Sequence, residues 1–296
     1  MAGKIKIPEN LKAELPPSKW GKVLGATPIV MTVIATMLAG LASSEMTKAQ
    51  YDRSLAAQIQ SKAGDQWGYA AAKKTRGALA HNSLDLLAST ADVHPLAAAA
   101  LPGADARTVL ALTEGKLPAT ERPLFSSEVQ SALDAIAHSS PESYVADQLA
   151  KIKKGDLNAA LNSMLAVAAR FDDAAKPITK FADKQDETLM AAADKNTFAN
   201  FAAARLRYTG ARYDAEAQLN QGIASIYELQ IHQANLTAEK HHARSGKFFI
   251  GMLAAQAAVI VSTFAIAARK KNFLWSLAAA AGLLAVIFSL YVYLYI

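Results

Sequence analysis

Aromatic and oppositely charged side chains cluster in two segments that lie far apart in the chain. The seven residues are Trp67, Tyr69, Lys73 and Arg76 in the first segment and Tyr213, Asp214 and Glu216 in the second. Side chains of these types form ion pairs and the centres of protein interfaces. One interpretation is a docking patch for a partner or a ligand. The alternative, which we favour, is that Trp67 fills the core of a helix pair while Lys73 and Arg76 are solvated or pair with acidic residues on the facing helix.

The same residues could also set the alignment of two helices. If the two segments face each other, Lys73 or Arg76 can pair with Asp214 or Glu216. An exposed ion pair contributes only about 0–1 kcal/mol to stability, so its value would lie in fixing one register. We therefore treat the seven residues as interaction or register residues.

Histidines and glutamates lie close together in the sequence just before the second of three apolar segments. Glu228 and His232 are four residues apart, a spacing at which two side chains on one helix can share a metal ion. His241 and His242 follow, with Glu239 beside them. The more ordinary interpretation, which we favour, is solvated histidines near lipid headgroups. No metal site is therefore predicted.

Signatures of catalysis and of cofactor binding are absent from the sequence. It contains no HExxH motif, no GxSxG elbow, no Walker loop and no EF-hand loop. The absence of cysteine removes thiolate nucleophiles, disulfides and cysteine-ligated metals together. We predict no catalytic, cofactor-binding or metal-ligating residues, and a protein that is not an enzyme.

The basic excess of the chain lies outside its large polar segment. Residues 45–246 contain 22 basic and 23 acidic side chains, whereas the rest of the chain contains 9 basic and 2 acidic ones. A nucleic-acid-binding protein would concentrate its basic residues in the polar domain. Basic residues that flank apolar segments instead indicate contact with anionic lipid headgroups. We predict a lipid bilayer as a partner and no nucleic acid.

Three apolar segments are long enough to cross a bilayer. They cover residues 23–42, 248–268 and 273–296, and none contains a charged side chain. The first is about 20 residues long, which favours an uncleaved anchor over a signal peptide with its apolar region of about 7–15 residues. Gly251 and Ala255 form a small-xxx-small pair suited to helix packing, and we expect the amide of Gln256 to face another helix.

The polar segment between the spans is expected to form a helical stalk and a head. Proline is absent from residues 29–94 and 178–296, which predicts one helix from the anchor to about residue 87 and another from about 179 to 268. An apolar residue at every fourth position would form the stripe that buries the first helix, at Tyr51, Leu55, Ile59, Ala63, Trp67 and Ala71. Because both helices enter the same membrane, they should pack antiparallel, and the proline-rich residues between them should form short helices.

The predicted fold is therefore all-α, with three transmembrane helices, one N-terminal and two in a C-terminal hairpin, and a long antiparallel helical stalk. The predicted parts are a basic tail (1–22), a first span (23–44), an extramembrane domain (45–246), a second span (247–268), a basic loop (269–272) and a third span (273–296). Within the domain, the stalk covers residues 45–88 and 178–246, and the head covers 89–177. Basic residues near the membrane number eight on the side of the N-terminus and five on the other side, which predicts a cytoplasmic N-terminus and a periplasmic or extracellular domain.

Three segments resemble bacterial membrane proteins of the domain of unknown function 4337 family. They are KAGDQWGYAAAKKTR at 62–76, RYDAE at 212–216, and residues 241–275. The family's motif after its first span is matched here by Lys62, Ala63, Asp65, Trp67, Tyr69, Ala72 and Lys73, while Ala70 and Ala71 depart from it. The resemblance covers about 120 residues at both ends of the chain and not the head. It implies this architecture and a location in the bacterial inner membrane, and it implies no activity.

Three hypotheses of function remain open from the sequence. The first is a structural or interaction protein, expected to form a homo-oligomer or to bind other membrane proteins. The second is a ligand-sensing or accessory subunit of a membrane complex, whose head binds a small molecule. The third is a membrane-bound hydrolase with an unfamiliar site.

Overall fold

The computed structural model describes residues 19–119, 121, 123–153, 155–192, 194–267 and 273–295. Within these residues the chain forms seven α-helices and no strand, so the all-α prediction is confirmed. The helices are α1 (Lys19–Thr90), α2 (Ala106–Glu114), α3 (Ser127–Ala137), α4 (Glu142–Leu149), α5 (Asp156–Ala192), α6 (Lys195–Ala267) and α7 (Phe273–Tyr295). A single 3-10 turn, Ala98–Ala100, precedes α2.

Three of the helices are long and apolar enough to cross a membrane. They are α1, α6 and α7, whose most apolar windows have mean hydropathies of 1.8, 2.0 and 2.2. Each contains one of the apolar segments found in the sequence. The chain is therefore of the membrane-protein type, and two of the three helices, α1 and α6, also extend far into the polar segment.

The expectation of one helix from about residue 179 to 268 was wrong. Helix α5 continues through Pro177 to Ala192, and α6 begins anew at Lys195. Asp194 causes the new start, because its carboxylate accepts hydrogen bonds from the backbone N–H groups of Asn196 and Thr197. The helix boundary expected near Pro177 therefore lies about 16 residues further along the chain.

The described residues divide into two compact units. The apolar unit contains α1 up to Ser54, α6 from Asn235 and the whole of α7. The polar unit is Leu55–Ala234. Both units hold one part of α1 and one part of α6.

In the apolar unit, small side chains lie where the helices meet. Ala35, Ala255 and Ala285 form one buried contact to which each of the three helices contributes one residue. A Cβ atom on Gly251 would lie 2.7 Å from the Ser289 hydroxyl, so only glycine allows this approach of α6 to α7. Such small residues let apolar helices associate closely.

The predicted stripe at every fourth residue of α1 is wrong. Tyr51 is 68% exposed and Ala71 is exposed, whereas Ala63 is the only member of the stripe that is buried. A spacing of four residues drifts about 40° around a helix at each step, so it cannot stay on one face. The buried positions instead recur every seven residues, a spacing that drifts by only about 20°. This alanine seam consists of Ala35, Ala42, Ala49, Ala56, Ala63 and Ala70, with Gly77 next in the series.

Helix α6 repeats the same spacing in the polar unit. Among its buried residues, Ala203, Gly210, Ala217 and Ala224 recur every seven positions. A Cβ atom on Gly210 would lie 2.7 Å from the ring of His81, and one on Gly77 would lie 2.6 Å from the carboxylate of Asp214. The two glycines therefore permit α1 and α6 to approach closely, and Gly210 does not interrupt α6.

Larger side chains form the core of the predicted head region. The buried cluster contains Leu96, Leu101, Leu112, Ile178, Phe201 and Tyr208, among others. These residues come from α2, α5, the first turns of α6 and the segment before α2. The cluster holds the short helix α2 against α5 and α6. This contact places the loop after α2 beside α5.

Candidate functional sites

Glu216 of α6 lies between two cations in the polar unit. Its carboxylate forms an ion pair with Lys73 of α1, and its other oxygen lies 3.4 Å from Nε of Arg212. The Glu216 side chain is only 11% exposed. Burying a carboxylate is costly, and the two neighbouring cations offset that cost. We call Lys73, Tyr208, Arg212, Tyr213 and Glu216 the interhelix cluster.

The ring of Tyr213 completes this arrangement. Its centroid lies 5.2 Å from the Lys73 ammonium and 4.6 Å from the Arg212 guanidinium, both within cation–π distance. Arg212 also donates a hydrogen bond of 2.6 Å from Nη1 to the hydroxyl of Thr179. Thr179 belongs to α5, so one guanidinium connects α5 to the pair formed by α1 and α6.

Tyr208 belongs both to the interhelix cluster and to the core of the head. Its ring is part of the buried apolar cluster, and its hydroxyl has no hydrogen-bond partner within the described part of the chain. Burial raises the pKa of Tyr208 from 10.0 to about 12. The positive charge of Arg212 opposes this rise, and the negative charge of Glu216 adds to it.

Of the four alternative ion pairs that the sequence suggested, the structure contains Lys73–Glu216. Asp214 instead contacts His81, with 2.9 Å between its Oδ2 and the imidazole Nε2, and both side chains are about half exposed. Arg76 is exposed and forms an ion pair with neither acid among the described residues. Sequence reasoning missed His81 because nothing in its local sequence indicates a partner 133 residues away.

Trp67 does not fill a helix-pair core, contrary to the interpretation favoured from the sequence. It is 39% exposed, and its indole N–H donates a 2.8 Å hydrogen bond to Oε1 of Glu228. The buried positions beside it belong to Ala63 and Ala70 of the alanine seam. Tyr69 is exposed as well. An indole at this position can therefore contact both α6 and a partner from solution.

The described residues give the suggested Glu228–His232 metal pair no third metal-binding side chain. Glu228 accepts the hydrogen bond from Trp67, and no group of three or more metal-binding side chains occurs among the residues that the structure describes. His232 is partly buried on α6.

A second polar cluster lies in the apolar unit and was missed by the sequence reasoning. Nδ1 of His241 lies 2.6 Å from Oε2 of Glu45, and its Nε2 lies 3.9 Å from Oδ2 of Asp52. Lys48 binds the other oxygen of Glu45 at 2.7 Å. His241 is therefore held between two carboxylates and is not a solvated histidine. We call Glu45, Lys48, Asp52 and His241 the histidine cluster.

The charge of Glu45 is maintained by its partners. Burial alone would raise the pKa of Glu45, but hydrogen bonds from Lys48 and His241 lower it below the ordinary value of 4.5. Nearby, Ser245 donates a buried hydrogen bond of 2.7 Å to the backbone carbonyl of Ala42. The position of Glu45 three residues after one apolar segment, and of His241 seven residues before another, was the available signal for this pairing.

The three residues expected to pack membrane helices divide into two groups. Gly251 and Ala255 are buried between helices of the apolar unit, as expected from the sequence. Gln256 is exposed within this chain, and the expectation that its amide faces another helix stays a prediction. One residue turns a helix by about 100°, which moves Gln256 out of the buried face that contains Ala255.

A groove beside α2 is a concave feature of the head that is lined by two cations. It has a volume of about 370 Å³ and is lined by Ala106, Arg107, Leu110, Lys116, Leu117, Pro118, Ala119 and Ala174. The two cations lie over an otherwise aliphatic surface. Gly115, with a φ of 69°, ends α2 and turns Lys116 and Leu117 toward this groove.

No protein-family model, curated protein or solved structure matches this chain. The resemblance of its two ends to the domain of unknown function 4337 family is therefore still an expectation from the sequence.

Proposed function

We propose that this chain is a three-span protein of a bacterial inner membrane with a structural or interaction role. The observation that carries the proposal is that α1 and α6 each continue without a break from an apolar segment into a polar one. Membership of the domain of unknown function 4337 family is part of this proposal.

The polar parts of α1 and α6 are proposed to form an antiparallel stalk. Rising residue numbers on α1 meet falling numbers on α6, in the contacts Trp67–Glu228, Lys73–Glu216 and His81–Asp214. The seven-residue spacing of buried alanine and glycine on both helices is the period of a coiled coil. The residues between the two helices would form the head.

The interhelix cluster is proposed to fix the register of this stalk and to have no catalytic role. Glu216 is shared between Lys73 and Arg212, and Tyr213 is covered by the same two cations. Opposite charges that pair with one another in this way suit a structural function. Trp67 and Tyr69, which are partly and largely exposed, are the proposed contacts for a protein partner.

The proposed topology places the N-terminus and the loop 269–272 in the cytoplasm and the head in the periplasm or outside the cell. A chain without cysteine allows a direct test, because each single cysteine reports its own position. We expect a membrane-impermeant maleimide to label Leu124→Cys, which is 87% exposed, in cells whose outer membrane has been opened. It should label Lys4→Cys and Lys270→Cys only after the inner membrane is disrupted. The reverse labelling would refute the orientation, and labelling of all three in intact inner membranes would refute the three-span arrangement.

A second candidate function is a ligand-sensing or accessory subunit, and the groove beside α2 favours it. Ligand sites are commonly concave, mostly apolar and about 300–1,000 Å³ in volume, with a few converging polar groups. Arg107 and Lys116 would select an anion that also has an aliphatic part. Decanoate should raise the unfolding temperature of the purified protein, and Arg107→Gln with Lys116→Gln should abolish the shift. The exposed pair Lys180→Gln with Lys184→Gln is the matched control. An equal loss in both double variants would reject the groove as the site.

A further inference from the structure

Gln256 is a polar side chain that the contacts of the apolar unit leave uncovered. It is exposed, and no hydrogen-bond partner for its amide occurs within the described part of the chain. It lies eight residues into the apolar segment that begins at Phe248, about 12 Å along the helix axis. An amide at that depth in hydrocarbon costs free energy unless another group bonds to it.

The neighbouring exposed residues form one continuous face with Gln256. Phe249, Leu253, Gln256, Ile260 and Thr263 are all exposed, and their spacing alternates between four and three residues. This is the spacing of the contact positions of a second helix packed along α6. The hydroxyl of Thr263 already donates to the backbone carbonyl of Val259 at 2.8 Å, so it needs no partner. Gln256 does.

We infer that this face of α6 is the contact surface for a second copy of this chain. The inference depends on the proposed membrane span, because only a lipid environment makes the exposed amide costly. Two copies inserted in the same orientation place their Gln256 side chains at the same depth. A carboxamide both donates and accepts hydrogen bonds, so two of them satisfy each other across a symmetric interface.

A single polar residue on this face is enough to specify how two copies pair. One polar side chain at a contact position of paired helices specifies their register, because any slip leaves it unbonded. The large residues Phe249, Leu253 and Ile260 then supply van der Waals contact on both sides of the amide. An unrelated helix would need its own donor and acceptor at the same depth, whereas a second copy brings them by symmetry.

Disulfide formation in native membranes tests the inference, with Leu253→Cys and Ile260→Cys as probes that keep Gln256. We expect both variants of the otherwise cysteine-free chain to give a disulfide-linked dimer on mild oxidation. Adding Gln256→Leu to Leu253→Cys should lower the dimer yield by about threefold or more. This is the change in equilibrium expected when one hydrogen bond between membrane helices is lost. Gln256→Asn should keep most of the yield.

Two controls separate a specific interface from collision in the membrane. Leu284→Cys lies on the exposed face of α7 and should give little dimer. Gln218→Leu makes the same chemical change at an exposed position of α6 outside the apolar segment and should leave the Leu253→Cys yield unchanged. Equal dimer at Leu284→Cys, no effect of Gln256→Leu, or crosslinking only to a different protein would each overturn the inference.

Carbonate extraction in the same membranes distinguishes this inference from the proposed function. A protein that stays in the extracted membrane but forms no dimer contradicts the second copy alone. A protein that carbonate releases contradicts the membrane span, and the inference fails with it.

Discussion

The alanine seam and the core of the head solve the same packing problem in opposite ways. In the polar unit, the seam buries Ala56, Ala63 and Ala70, each with a single methyl group. The core of the head buries Leu112 and Phe201, both with no exposed surface. Since hydrophobic stabilisation is about 25 cal/mol per Å² of apolar surface buried, the head gains far more from each residue. The seam gains close backbone approach instead, and we propose that polar pairs and glycines set its register.

The largest expected effect follows from truncating the head core. Leu112→Ala should lower the free energy of unfolding by about 2–5 kcal/mol, because it leaves a cavity at a fully buried site. Hydrogen exchange of the full-length protein in detergent should show faster exchange across α2 and the first turns of α6. Leu124→Ala, at a position that is largely exposed, should change stability by less than about 0.5 kcal/mol. Similar losses in both variants would mean that the head has no specific core.

The next effect concerns the buried charge at the seam. Glu216→Ala leaves Lys73 and Arg212 without their shared carboxylate, and we expect a loss of about 1.5–3 kcal/mol. The exchange rates of the polar parts of α1 and α6 should rise together, while those of α2 should change little. Glu187→Ala removes an exposed acid and serves as the control. If the double variant Lys73→Glu with Glu216→Lys recovers none of the stability lost in Lys73→Glu alone, the pair does not set the register.

Two glycine substitutions in these helices are expected to change stability by smaller amounts and in opposite directions. Gly210→Ala places a methyl group against the ring of His81 and should destabilise by about 1–3 kcal/mol. Gly64 of α1 has open space around its missing Cβ, so Gly64→Ala should stabilise by about 0.5–1 kcal/mol through helix propensity. Thermal unfolding of the two variants gives the comparison directly. A stabilising Gly210→Ala would show that the two helices can separate at no cost.

The seam also shows where sequence reasoning succeeds and where it fails. Apolar length and the placement of proline were sufficient to predict an all-α chain with three long apolar helices. The seam itself was overlooked because alanine is abundant in both helices and only its seven-residue recurrence at Ala49, Ala56 and Ala63 distinguishes it. A search for large residues favoured Tyr51 and Trp67, which are exposed.

Contacts between distant residues were the least predictable part of the candidate sites. Lys73 could be matched with two acids from charge alone, and the structure has it paired with Glu216. The pairing of His241 with Glu45 spans 196 residues, so no local spacing reveals it. The start of α6 was predictable in principle, because an aspartate ahead of free backbone N–H groups is an ordinary helix cap, as Asp194 is.

Tyr208 lies in the head core and in the interhelix cluster, and its substitution is expected to have the smallest effect on stability. Its ring lies in the head core, and its unbonded hydroxyl is influenced by Arg212 and Glu216. Tyr208→Phe keeps the ring and removes the hydroxyl, so stability at neutral pH should change by about 1 kcal/mol or less. Because folding raises the pKa of this phenol from 10.0 to about 12, its contribution to stability is complete below pH 10 and is lost as the pH rises toward 12. The unfolding temperature of the wild-type protein should therefore fall more steeply above pH 10 than that of Tyr208→Phe. Ultraviolet absorbance should show one fewer late-ionising phenol in the variant. Identical alkaline profiles would mean that the hydroxyl is hydrated and that burial does not raise its pKa.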